Sequence, residues 1–145
     1  MASASSEMSR FSVKIYVNPW DSIMLSQHGM GRIRTLEYVQ WGNVTEEGGN
    51  VWTPRIGRIT WHLLWIFDTE TGLGRIYARF TMEFDSGQFA GKTVEGNAVS
   101  DVISVPTGGA AVIEGRFTGH GDMHVKGNVE PVEVGSACAF IGYSW

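Results

Sequence analysis

Two segments constrain this chain more than any others: "GRITWHLLWIFD" (57–68) and "GRIYARFTMEFD" (74–85), separated by the turn "TETGL". Both are apolar at every second position, the signature of a strand with one buried face. Placing the turn symmetrically pairs Phe67 with Ile76, Trp65 with Ala78, Leu63 with Phe80, Trp61 with Met82 and Ile59 with Phe84, and all ten are apolar. The opposite face sets Thr60, His62, Leu64 and Ile66 against Tyr77, Arg79, Thr81 and Glu83, a mixed surface. Such segregation specifies an antiparallel hairpin packed on a core by one side.

The rest of the chain repeats the pattern. Phe11, Val13, Ile15 and Val17 alternate with Ser12, Lys14, Tyr16 and Asn18. In "NPWDSIMLSQHGMG", Asn18-Pro19 is expected to stop that strand, and Asp21 to cap one short helical turn with Ile23, Met24 and Leu25. Strand patterning resumes at 32–41, 87–105, 110–132 and 136–145, and no segment has the period of an ordinary helix. Nineteen Gly against four Pro suit Gly-turned strands, and 145 residues at 43% hydrophobic suffice to bury a core. The expectation is an all-β domain over 10–145, a single closed antiparallel β-barrel of about eight strands with at most a short helical turn. Closure removes the exposed edges that seven or eight open strands would leave. Residues 1–9, small and polar, read as a flexible tail.

Net charge is −4 and no basic cluster occurs, which argues against nucleic acid and anionic membrane surfaces as partners. No stretch reaches the length of a membrane-spanning helix, and "MASASSEMS" lacks the charged and apolar regions of a secretory signal. The single cysteine, Cys138, forms no internal disulfide, so the expected location is cytoplasmic. Nucleophile elbow, phosphate loop and dinucleotide fingerprint are all missing from the sequence.

The spacing in "IEGRFTGHGDMHVKG" (113–127), with the preceding "FDTETGLGRIYARFTMEFDSGQFAGKTVEG" (67–96), resembles the Gly placements of the allene oxide cyclase-like barrels, a calycin-type superfamily that takes in dirigent-like proteins and small bacterial cyclases. The resemblance implies an eight-stranded barrel, a dimer or trimer, with an apolar lumen for a hydrophobic small molecule. It also implies a cofactor-independent cyclase or isomerase that works by folding its substrate. The rival expectation is a non-catalytic oligomeric barrel, binding or structural, with a packed interior. Fold likeness alone does not choose between them.

Trp61, Leu63, Trp65, Phe67, Phe80, Met82 and Phe84, beside the small Ala78, describe either a filled core or the walls of a lumen, with Trp41 a further wall candidate. Polar groups for chemistry are few. If Val39 and Trp41 face inward so does Glu37, whose burial would suit general acid–base work; if Leu36 faces inward, Tyr38 is the lumen donor. Glycines 119, 121 and 127 fall on the apolar side of their strand and are expected to leave space in the lumen. The H-x-D-x-H of His120, Asp122 and His124 reads as a solvated outer face: on one strand the two histidines lie about 13 Å apart, too far to share an ion, and no metal is expected. His28 is expected in a loop at a barrel mouth and His62 on the outside, where Leu64 and Ile66 suggest a contact between subunits. Cys138 reads as a buried structural thiol.

Overall fold

A computed structural model describes residues 8–105, 111–132 and 138–145. Residues 1–7 of the expected tail and 136–137 of the expected last strand lie outside these. Among the described residues eight strands run in chain order: β1 (Ser9–Met30), β2 (Ile33–Glu46), β3 (Gly57–Asp68), β4 (Gly74–Phe84), β5 (Thr93–Ser104), β6 (Val112–Gly121), β7 (Val125–Glu130) and β8 (Cys138–Ser144). Each pairs antiparallel with the next, and β8 returns to β1, closing the barrel. No helix occurs among the described residues, and none therefore is long and apolar enough to cross a membrane.

Alternation decides which side chains point inward. On β4 Ile76, Ala78, Phe80, Met82 and Phe84 are buried while Arg75, Tyr77, Arg79 and Glu83 are exposed, as expected from the sequence. The half of the barrel nearest the β2–β3 and β4–β5 connections, its base, is filled by aromatics. Phe11 lies against Phe84, Phe89 and Phe117, with ring centroids 5.4–6.1 Å apart. The other end, the mouth, is where β3 passes to β4 and β1 turns into β2.

Several local expectations are corrected. The β3–β4 register is two residues from the symmetric one: Trp61 faces Phe80, Leu63 faces Ala78 and Trp65 faces Ile76. The Asp68 carboxylate accepts the amides of Glu70 and Thr71, and Gly72 takes φ 75°, so the turn closes with Asp68 against Leu73. A two-residue slip leaves every side chain on its face, which is why the periodicity could not detect it. The segment 21–25 is strand, not helical turn. Strand β1 continues through it, with slips in its register to β2 between Val17 and Ser22 and between Met24 and Ser26. His28 is consequently paired with Thr35 within a strand rather than placed in a loop. The expected strand 110–132, of which residue 110 lies outside the described residues, is two strands folded back at Asp122–His124, and this supplies the eighth strand. Residues 87–92 are turn, held by Gly91 N–H donating to Phe84 C=O.

Glycines 119 and 127 do not enlarge the lumen. Gly127 faces Gly142 across β7–β8, and a Cβ on either would come within 2.6 Å of the other's α-carbon. They let adjacent strands approach and coil tightly at small barrel radius. Gly121 (φ 146°) serves the β6–β7 turn.

Candidate binding site

The space inside the barrel comes instead from small residues on β4 and β5. One cross-strand row runs Tyr38, Leu63, Ala78, Ala98, Phe117, and its third and fourth members are alanines. Ser100, facing Ile76, is small as well. Above this row lies a cavity of about 260 Å³, just under the usual range for ligand pockets. Phe140 forms its floor, stacked on Phe117 at 4.4 Å and 15°, with Phe80 edge-on at 5.4 Å. Trp61, Leu63, Trp65 and Ile113 stand in its walls.

Four of the expected lining residues, Trp61, Leu63, Trp65 and Ala78, meet this cavity. Phe80, Met82 and Phe84 point inward but belong to the packed base. Phe67 is half-buried at the rim, against Trp65 with centroids 4.6 Å apart. Trp41 is not a wall residue: it lies on the outer face, 39% exposed. Strand β2 turns Tyr38 and Gln40 to the cavity and Glu37, Val39 and Trp41 outward. The reading of Glu37 as a lumen carboxylate therefore fails, and Tyr38 is the inward group of the pair. Ser100, Val129, Cys138 and Phe140 also line the cavity and were missed. Their signal was the run of small inward residues Ala98 and Ser100, legible only once the face of β5 is known.

The cavity's polar groups are uncharged. Burial pushes the Tyr38 phenol above its ordinary value, so it stays protonated and donating at neutral pH. Burial also pushes the Cys138 thiol far up, which removes it as a nucleophile. Gln40 accepts a hydrogen bond from Trp61 Nε1 at 3.2 Å. Trp65 Nε1, by contrast, is a buried donor with no acceptor among the described residues. The chemistry available is confinement plus hydrogen-bond donation, without a charged acid or base.

Glu37 instead anchors a polar chain outside the barrel. Its carboxylate accepts from His62 Nε2 at 2.8 Å and from Ser26 Oγ at 3.3 Å. Arg79 reaches the other ring nitrogen, His62 Nδ1, at 3.2 Å, so the imidazole bridges Glu37 and Arg79. Around "HGDMH", Asp122 accepts from Thr93 N–H at 2.9 Å and His124 stacks on Trp145 with centroids 5.4 Å apart. Among the described residues no three His, Cys, Asp or Glu side chains gather as metal ligands.

No family model, curated protein or solved structure matches the chain.

Proposed function

We propose that this protein binds a small hydrophobic molecule in the mouth half of its barrel. The observation that carries the reading is the Trp65 N–H, without an acceptor among the described residues, in the wall of a mostly apolar cavity. An apolar pocket with a few placed polar groups is the common form of a small-molecule site, and Trp65 and Tyr38 supply two donors. The ligand is thus compact and apolar, with one or two acceptor oxygens such as a carbonyl or ether. If it is transformed there, the reaction is a cyclisation or isomerisation driven by holding one conformer away from water, with Tyr38 as hydrogen-bond donor. That would accord with the allene oxide cyclase-like resemblance, although a closed eight-stranded barrel is shared by several superfamilies.

The test is native mass spectrometry of the purified protein, followed by titration with any ligand recovered. Ala98→Leu should fill the cavity and abolish retention of that ligand while the barrel still folds, because the change extends one side chain into existing space. Retention unaltered by Ala98→Leu would place the ligand elsewhere. A second copy of the chain is proposed as the protein partner, through the outer face of β3–β5, where Tyr77 and Val99 are 41% and 42% exposed.

A further inference from the structure

A larger concavity than the lumen is an open groove of about 1000 Å³ on the outside, across β1 to β4. Trp41 is central to it. Two short side chains, Thr60 and Thr81, follow Trp41 across the sheet, so the indole stands above its neighbours. The adjoining row is Asn43, Arg58, Glu83, with side chains about 5 Å apart on successive strands. Asp21 enters from β1, beside the slip in its register, and Arg55 from the loop between β2 and β3. That loop also carries Trp52, 89% exposed, next to the groove residue Val51. Two solvent-facing indoles near one groove are unusual for side chains of this size.

Four polar side chains of this groove are poised rather than spent. Asp21, Asn43, Arg58 and Glu83 make no side-chain hydrogen bond or ion pair with any described residue. Arg55 does, to Asp85 at 3.3 Å. Charge narrows the ligand: Arg55 is paired with Asp85, which leaves Arg58 against Asp21 and Glu83. An anion is therefore disfavoured, and a neutral ligand finds one guanidinium and two carboxylates open to hydrogen bonding. It must offer an apolar face to the electron-rich indole and paired donor–acceptor groups at its edge, which a carboxylate, an amide and a guanidinium recognise in bidentate fashion. A pyranose ring has this chemistry, with C–H groups on one face and vicinal hydroxyls around the rim. The groove volume, at the top of the range for ligand pockets, accommodates more than one ring.

We propose that the outer groove around Trp41 is a binding site for neutral oligosaccharides, with Trp41 as stacking platform and Asn43, Arg58, Glu83 and Asp21 as hydroxyl partners. It is independent of the lumen. The experiment probes the full chain with an immobilised array of neutral gluco-, manno-, galacto- and xylo-oligosaccharides and their N-acetylated forms, alongside sulfated glycans. The best neutral binder is then titrated by calorimetry. Binding to a neutral glycan is expected, weakened at least tenfold by Trp41→Ala, retained by Trp41→Phe and unchanged by Ala98→Leu, which alters only the lumen. Since Trp41 is exposed, its replacement leaves the fold intact, checked by unchanged near-UV circular dichroism outside the indole contribution. No neutral glycan bound, a preference for the sulfated set, or binding indifferent to Trp41→Ala would each overturn the proposal.

Discussion

The indole N–H of Trp65 is buried and unanswered among the described residues, and a buried donor in that position costs about 1–3 kcal/mol. A ligand oxygen placed there removes the cost. Trp65→Phe keeps an aromatic wall and deletes the donor, so two measurements should separate. Ligand affinity should fall about tenfold, the equivalent of one hydrogen bond of about 1.4 kcal/mol. Stability of the unliganded protein should change by less than about 1 kcal/mol, because the variant also loses an unsatisfied group. Calorimetry and thermal denaturation on the same sample check both. A large stability loss with unchanged affinity would make Trp65 a core residue and no more. Tyr38 gives a pH test. Its folded-state value lies above the ordinary 10.0 because burial disfavours the phenolate. Above pH 10 the native state therefore holds a proton that the unfolded chain has released, and stability must decline as pH rises. Tyr38→Phe should flatten that decline, measured by denaturant unfolding between pH 9 and 11.

At the scale of elements, the turn at Asp122–His124 shows what a motif can conceal. "HGDMH" offers three metal-ligating side chains in five residues, yet the structure spends Asp122 and His124 locally. Asp122 and Thr93 exchange two hydrogen bonds, Thr93 N–H donating to the Asp122 carboxylate and Asp122 N–H to the Thr93 carbonyl, tying the β6–β7 turn to the start of β5. Asp122→Ala should cost about 1 kcal/mol in stability, and chelators should not alter the melting temperature of the wild type. A melting point that falls with chelator would overturn this account. The strand pattern made the faces of β3 and β4 readable because side-chain period 2 is intrinsic to the pleat. Register escaped, since the Asp68 turn moved it by two and kept every face. The facing of β2 was open in the sequence for a related reason. Leu36, Glu37, Tyr38 and Val39 carry an apolar or amphipathic residue on both sides, so only the neighbouring strands settle it. The 21–25 segment misled because one apolar cluster fits a helical turn and a slipping strand equally. The cavity was legible only through Ala78; Ala98 and Ser100 complete it from a strand whose pairing the sequence does not state.

On the scale of the whole molecule, the outer wall carries a charge pattern suited to a two-fold axis. One cross-strand row reads Glu37, Leu64, Tyr77, Val99, Arg116, acidic at one end, basic at the other, apolar between. The ends lie about 19 Å apart at the usual strand spacing. In the proposed dimer, an axis through Tyr77 would bring Glu37 of each copy toward Arg116 of the other and cover both apolar centres in one isologous contact. Ile66, 37% exposed, extends the patch toward the mouth. Light scattering of the wild type is accordingly expected to give a dimer. Tyr77→Glu sets two carboxylates against each other on the axis and should yield monomers. Arg116→Glu alone should also dissociate the pair, and adding Glu37→Arg should restore it, because the two ends then carry exchanged charges. Restoration matters most, since a single substitution can disrupt many kinds of contact but an exchange repairs only one that pairs these ends. A wild type that runs as a monomer at high protein concentration, or a double exchange that stays dissociated, would refute the two-fold contact. It would leave the lumen and the Trp41 groove untouched, as neither uses this face.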